Sequence, residues 1–500
     1  MDKKKIENYW FYIFFGIFIL FLAYLCYTLN IWEDETYSLN TSSKGLKYAL
    51  IQSFRFEGQP PLYFLILTLW RMISPTIFFS RLLSLIFFIS GALVFRKLLM
   101  RHKILHAKLF TLLFLIMPYG MYFATEIRTY ALLIFLSSLN LYYFSSIIHE
   151  KGNQRQYWVL FLINIMGMLS QYLFAVLIIA QVLVLMKFRK PGIKNILILI
   201  SPIIIVFLIS FPFLFNQITS HQVENKDVFK DLLVKIGRTV QNMVFSFHKV
   251  PDKEMIKTPL KLVFLIFTGI LVYLQFFKEK KDSEAIRIFL YLTTISLIGF
   301  YLFFILFQIR YFDKYLAVIY PLVLLMYFLS INTSWKGILK VFLIVFILYN
   351  ATINIFNYSG NAKTYDYRGL VKFLNELNQE KAPVFVYRRA LALSLSMYNS
   401  DSLQLVQVPY PIDYKQYQPI GIEGSEELLA LVHEKLDEGE VFYVVSDDSV
   451  NYEYGVDLKR TIFNEALSSK FGLLVDTLYY GTAKDSYLNV KKYHSGKSIQ

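Results

Sequence analysis

Residues 10–37 read WFYIFFGIFILFLAYLCYTLNIWEDETY. Residues 10–29 carry no charged side chain, and a helix needs about 20 apolar residues to cross a bilayer. Met1-Asp2-Lys3-Lys4-Lys5 precedes the run, and Glu33-Asp34-Glu35 closes it. Basic residues mark the cytoplasmic end of a membrane helix. The stretch therefore predicts a first spanning helix with a cytoplasmic N-terminus and an acidic segment on the outer face. The run is longer than the core of a signal peptide and no small-x-small cleavage site follows it, so an uncleaved signal anchor is expected.

The same pattern recurs along the chain. Further apolar runs lie near 61–74, 82–99, 107–124, 129–148, 157–171, 172–187, 195–213, 259–277, 287–308, 312–330 and 337–356. Basic connectors at Arg96–Lys108, Lys187–Lys194, Lys278–Arg287 and Lys336–Lys340 belong in the cytoplasm by the same rule. The loops at 30–60, 125–128, 214–258 and 309–311 then face outward. Two runs lie between the outer loop 30–60 and the inner loop 96–108, where alternation needs an odd number of crossings. Either 61–74 does not cross fully, or the pair is one element broken around Pro75. Eleven to thirteen helices are expected. Within the 214–258 loop, Leu232, Leu233, Ile236, Val240 and Met243 fall on one side of a helix over Val228–Phe247, which reads as an amphipathic helix on the outer surface.

Composition agrees. The 500 residues are 56% hydrophobic and 17% charged, against about 45–50% and about 25% in ordinary globular domains. Residues 357–500 hold 15 basic and 19 acidic residues, and residues 1–356 hold 36 and 17. The net charge of +15 thus sits wholly in the apolar part, as short clusters between runs. That distribution marks topology and excludes a nucleic-acid-binding protein. Two domains are expected, a membrane domain over 1–356 and a soluble extracytoplasmic α/β domain over 357–500. In the second, strands are predicted at Pro383–Tyr387, Leu403–Val408, Val441–Ser446, Leu473–Tyr480 and Tyr487–Lys491. Helices are predicted at Tyr367–Asn378, Leu391–Tyr398, Ser425–Glu438 and Thr461–Phe471. The single cysteine, Cys26, forbids an intramolecular disulfide.

Charges at a membrane boundary are costly to desolvate, so those flanking the runs are informative. Glu33-Asp34-Glu35 offers three adjacent carboxylates, which suit a general base or attract a cation. Glu57-Gly58-Gln59-Pro60-Pro61-Leu62-Tyr63 holds two prolines that favour a helix start, with Gln59 as a polar candidate. Glu126-Ile127-Arg128-Thr129-Tyr130 follows the 107–124 run. Arg310-Tyr311 with Lys314 lies at a late outer boundary, where arginine suits bidentate phosphate binding. Each also has a plainer reading as a solvated turn, local ion pair or interface anchor. The histidines show no strong metal spacing: His102 and His106, four apart, read as surface residues of the basic inner loop. No Gly-x-Ser-x-Gly or Walker-type loop occurs.

In their order along residues 5–330 these features resemble the GT-C superfamily of membrane glycosyltransferases, specifically family 39-like proteins, which include protein O-mannosyltransferases and the aminoarabinose transferases of lipid A. Asp34-Glu35 matches the acidic pair of the first outer loop. Gln59-Pro60-Pro61-Leu62-Tyr63 matches a His-Pro-Pro-Leu-Tyr-like segment with Gln in place of the usual residue. Arg81-Leu82-Leu83-Ser84 matches an Arg-Leu-Pro-Ser-like element without its proline. Glu126-Ile127-Arg128-Thr129-Tyr130-Ala131-Leu132 matches a Glu-x-Arg-x-Tyr-Ala-Leu stretch, and Arg310-Tyr311 with Pro321 matches a late Arg-Tyr element. The resemblance implies an α-helical polytopic GT-C fold and transfer, with inversion, of a sugar from a polyprenyl-phosphate donor to a glycan, lipid or protein acceptor. It assigns Asp34 as base, with Glu35 either holding an Arg or orienting the base. Gln59, Glu126, Arg128, Arg310, Tyr311 and Lys314 would bind substrate. No cofactor is expected by analogy with the mannosyltransferase branch, although Glu33 leaves room for a divalent metal of the kind oligosaccharyltransferases use. The expected location is the cell (inner) membrane. A transporter or flippase for lipid-linked sugars, an O-antigen ligase or polymerase type of enzyme, and a non-catalytic subunit of an envelope complex are the competing readings.

Overall fold

A computed structural model of the chain describes residues 3–150, 153–220, 231–245, 254–278, 283–309, 311–358, 365–387, 389–399, 402–408, 430, 432–437, 440–446, 471–480 and 487–495. Its contacts form two compact units. The first comprises Met1–Tyr27 and Thr41–Asn357; the second comprises Thr28–Asn40 and Tyr358–Gln500. The acidic segment after the first membrane helix therefore groups with the C-terminal part of the chain, a feature that charge composition does not reveal.

The first unit is an integral membrane bundle. Among the described residues, seven helices are long and apolar enough to cross a bilayer: Tyr9–Thr28, Ile77–Arg101, Tyr130–His149, Ile193–Phe213, Glu284–Phe307, Asp313–Ser330 and Lys336–Ile355. A bent pair, Ala107–Ile116 and Pro118–Ala124, makes an eighth if it is one span, and Leu62–Arg71, Phe174–Phe188 and Leu262–Lys278 are shorter apolar helices. Leu62–Arg71 has 10 residues, or about 15 Å, half of the ~30 Å hydrocarbon core. At that length it is too short to span the core by itself. The next helix starts at Ile77, where the Thr76 hydroxyl accepts from the Phe79 N–H at 3.3 Å. The chain folds back there with Trp70 stacked on Phe79 (4.6 Å) and its indole N–H donating to the Phe79 carbonyl at 2.7 Å.

The run at 107–124, read from hydropathy as one helix, is broken. Its halves meet at 61° around Met117-Pro118. Pro118 has no N–H to give the carbonyl four residues back, so bending frees main-chain acceptors inside an apolar bundle. Two side chains satisfy them: the Tyr320 hydroxyl donates to Phe114 O at 3.1 Å, and Asn354 Nδ2 donates to Ile116 O at 2.6 Å. Gly120 lets this packing close, because a Cβ there would lie 2.7 Å from the Tyr320 oxygen and 2.9 Å from the Phe88 ring. Tyr320→Phe should cost about 1–3 kcal/mol, the penalty for orphaning a buried acceptor. A detergent unfolding titration matching wild type would refute this account of the bend.

Polar side chains also join helices inside the bundle. Gln181 donates to Asn140, whose Nδ2 donates to Asn164 Oδ1 at 2.7 Å, linking three helices through buried amides. The fully buried Arg81 donates to the Cys26 carbonyl at 3.3 Å, near the C-terminal end of the first helix, where unfilled carbonyls favour a cation. An amphipathic helix lies at Leu232–Val244, within the expected Val228–Phe247, but Leu233 does not share the buried side with Leu232, Ile236 and Met243 as expected. Its buried residues Leu232, Ile236, Thr239, Asn242 and Met243 follow helical spacing, while Leu233 and Val234 are exposed.

His102, read from sequence as a surface residue, is packed inward. Its Nε2 lies 2.8 Å from Ser145 Oγ, and its ring meets His149 at 5.1 Å and Phe289 at 5.2 Å. Burial above all, then His149 and Arg101, pushes its pKa down to about 3. A base held neutral in the fold but protonated when unfolded contributes stability above its ordinary pKa of about 6.5. That contribution fades as pH falls from there towards 3. His102→Gln should therefore flatten the fall in melting temperature between pH 7.5 and 5; an unchanged pH slope would contradict the burial argument.

The second unit carries a five-stranded sheet: β1 (Val384–Tyr387), β2 (Leu405–Val408), β3 (Val441–Ser446), β4 (Gly472–Tyr480) and β5 (Tyr487–His494). The order is β2-β1-β3-β5-β4, with β1 parallel to β2 and β3, and β5 antiparallel to β3 and β4. β1 is buried at all four positions, as a strand covered on both faces requires. Phe385, Val408, Phe442, Val444, Phe471 and Tyr493 pack in its core. Helices cover Tyr367–Leu377 and Arg389–Ser396. The predicted Ser425–Glu438 helix is described only in part, and the predicted Thr461–Phe471 helix lies outside the described residues except for Phe471.

Candidate functional site

In the first unit two polar clusters lie at opposite ends of one short helix. The seven residues Pro118–Ala124 span about 10 Å. At the C-terminal end, Thr125–Thr129 is a wholly buried loop containing Glu126 and Arg128. Arg128 is paired with Glu57 at 2.8 Å, the two side chains being 5% and 3% exposed. Glu57 also accepts from the Thr41 hydroxyl at 3.1 Å. The Glu57 loop turns at Gly58, whose φ of 62° suits glycine, and the Gln59 N–H closes it on Ser53 O at 2.9 Å. Gln59 Oε1 is shielded from solvent and accepts no hydrogen bond among the described residues. Pro61 then ends the turn, and the Leu62 N–H, left over at the helix start, donates to Leu169 O at 3.0 Å.

At the N-terminal end, Tyr119 donates to the Asp313 carbonyl at 2.8 Å. Tyr311 donates to Thr239 Oγ1 at 2.6 Å, and Thr239 in turn bonds Asp313 Oδ1 at 2.8 Å. Thr239 lies on the buried face of the amphipathic helix, so this relay fixes that helix to the Tyr311 loop. Burial pushes the Tyr311 phenol upward, with the Thr239 bond opposing, which keeps it a neutral donor. Lys314 Nζ stands 5.2 Å from the Phe312 ring centre. Arg310 lies outside the described residues.

In the second unit the acidic run forms the first turn of the helix Glu33–Thr41. The Trp32 carbonyl accepts from the Glu35 and Thr36 N–H groups at 3.0 and 3.1 Å, and the Trp32 N–H donates to Glu35 Oε2 at 3.3 Å. Glu35 thus makes the return half of a capping box, although Trp32 supplies no side-chain cap. Carboxylates in a first turn are favoured by the helix dipole by about 0.3–1 kcal/mol each. Successive helical residues point about 100° apart, so the three carboxylates point in different directions. Glu35 is fully buried, while Glu33 and Asp34 are half-buried. The Ser38 hydroxyl donates to the Asp34 carbonyl at 3.2 Å. Among the described residues no three His, Cys, Asp or Glu side chains converge as a metal site.

Sequence reading quoted Glu57 but assigned it no role, and the structure makes it the partner of Arg128. The available signal was its isolation, as Glu57 is the only acid between Glu35 and Glu126. Thr239 and Tyr119 carried no comparable signal.

Compared with solved structures, the chain is similar to ArnT from Cupriavidus metallidurans in the apo state, with a TM-score of 0.54 over 97% of this chain and 98% of that one, at 10% identity. The chain has the GT-C fold. The same ArnT bound to undecaprenyl phosphate gives a TM-score of 0.52 over 96% of this chain and 98% of that one, also at 10% identity. The oligosaccharyltransferase AglB from Archaeoglobus fulgidus, in complex with an inhibitory peptide and a dolichol-phosphate, gives 0.45 over 96% and 74% at 12% identity. No protein-family model and no curated protein matches the sequence.

Proposed function

We propose that the chain is an inverting glycosyltransferase that moves a sugar from a polyprenyl-phosphate donor to an envelope acceptor on the outer face of the membrane. The observation that carries this reading is the GT-C fold, shared over nearly the whole chain with an ArnT bound to undecaprenyl phosphate. Asp34 takes the proton of an acceptor hydroxyl or amine. The freed heteroatom attacks the anomeric carbon, the bond from that carbon to the phosphate oxygen breaks, and polyprenyl phosphate leaves with the electron pair. Glu35, bonded to the main chain of Trp32, fixes the turn that carries the base. Arg310 and Lys314 supply positive charge to the leaving phosphate. Arg128, paired with Glu57, and Gln59, Glu126 and Tyr311 are the further residues assigned to substrate. The domain boundary near residue 357, the outward C-terminal domain and the cytoplasmic N-terminus belong to the same proposal.

Mass spectrometry of envelope glycans and glycolipids from a deletion strain and its complemented control tests the reading. One sugar should be missing from one class of molecule and return on complementation. Identical envelopes would overturn it.

A further inference from the structure

We propose that the C-terminal part of the chain sets the transfer step by holding its base in place, through Asp366, Ser394 and Tyr398 as positioning residues for the turn that carries Asp34. This rests on the reading of Asp34 as base.

The segment Thr28–Asn40 and the C-terminal residues form one compact unit, and their bonds are specific. Asn30 is held from both sides of its amide: Nδ2 donates to Asp366 Oδ1 at 2.9 Å, and Oδ1 accepts from the Arg368 N–H at 3.0 Å. Asp366 is itself built into the domain. Its Oδ1 also caps the helix Tyr367–Leu377 through the Gly369 N–H at 3.0 Å, and its Oδ2 accepts from the Tyr479 hydroxyl of β4 at 3.0 Å. A Cβ at residue 369 would meet Tyr479 Oη and Asp366 Oδ2, so a larger residue there would have to displace one of these side chains. One residue on, the Ile31 N–H donates to the Tyr398 hydroxyl at 2.9 Å, and the Arg368 guanidinium lies 5.4 Å from the Tyr398 ring centre. Beyond the acidic turn, the buried Thr36 and Ser394 hydroxyls share a hydrogen bond at 3.1 Å.

Residues 30, 31 and 36 bracket Glu33-Asp34-Glu35. A slip of one residue would turn the helix by about 100° and shift it by about 1.5 Å. It would present a different one of the three carboxylates. Misplacement of a reacting group by about 1 Å can cost about 10²-fold in rate. The clasp therefore selects which acid is offered to the acceptor.

The test uses the full chain in lipid nanodiscs for hydrogen exchange, and a complemented deletion strain for product yield by mass spectrometry. Asn30→Ala and Asp366→Ala should speed exchange of the amides of residues 31–41 by about tenfold or more and lower product about 10²-fold. Binding of undecaprenyl phosphate should not change. Asp366→Asn keeps an oxygen for Gly369 and Asn30 and should recover most of the product. Tyr398→Phe and Ser394→Ala are milder truncations that keep the test informative if an alanine variant at Asp366 fails to fold; each should speed exchange and lower product in the same direction. Unchanged exchange in the folded variants, or faster exchange with wild-type product, would overturn the proposal. Retained product in Asp34→Asn would remove the base assignment instead, and the exchange rates would still report on the clasp.

Discussion

Asp34→Asn is expected to lower transfer by at least 10²–10⁴-fold, the usual contribution of a positioned base, while the protein still inserts and folds. The substitution keeps size and shape, and the bond from Ser38 falls on the Asp34 carbonyl, which is untouched. The first-turn charge that the substitution removes is worth about 0.3–1 kcal/mol. Glu35→Gln provides the contrast. A glutamine oxygen can still accept from the Trp32 N–H, since capping boxes use either residue. That variant should keep much of its activity if Glu35 serves to fix the turn. The readout is the sugar-bearing envelope molecule, quantified by mass spectrometry in complemented cells. Turnover retained by Asp34→Asn, or equal loss in both variants, would sink the division of roles.

The second large effect is on stability. Glu57→Gln removes the carboxylate that pairs with the buried Arg128 at 2.8 Å, and breaking such a pair from one side typically costs about 3–5 kcal/mol. Removing both charges, as in Glu57→Gln with Arg128→Met, should recover much of that loss, because two buried ions are also relieved of their desolvation. Transfer should remain low in the double variant, as Arg128 is assigned to substrate. Unfolding in mixed detergent measures the first effect and product yield the second. An undisturbed Glu57→Gln protein would mean that the carboxylate does not neutralise Arg128.

The membrane helices were legible because hydropathy averages over 20 residues and needs no partner. The bend at Pro118 was not, although the proline is in plain view. Met117-Pro118 sits within a continuous apolar run, and its donors, Tyr320 and Asn354, lie more than 200 residues away in sequence. The acidic run was legible as a candidate, but its helical geometry was hidden because Trp32 is not a capping residue type. Arg128 was found from its place at a membrane boundary, while its pairing with Glu57, 71 residues distant, is a property of the folded chain alone. The sheet strands emerged nearly at their observed limits, since each is a short β-branched and aromatic stretch between turn residues.

The bond between Asn30 and Asp366 spans 336 residues. Chains are made at about 5–20 residues per second, so Asn30 is in place roughly 20–70 s before its partner exists. The acidic turn is thus made well before the residues that close around it. On the reading of Asp34 as base, a translation product cut short before Asp366 carries the base without the residues that position it.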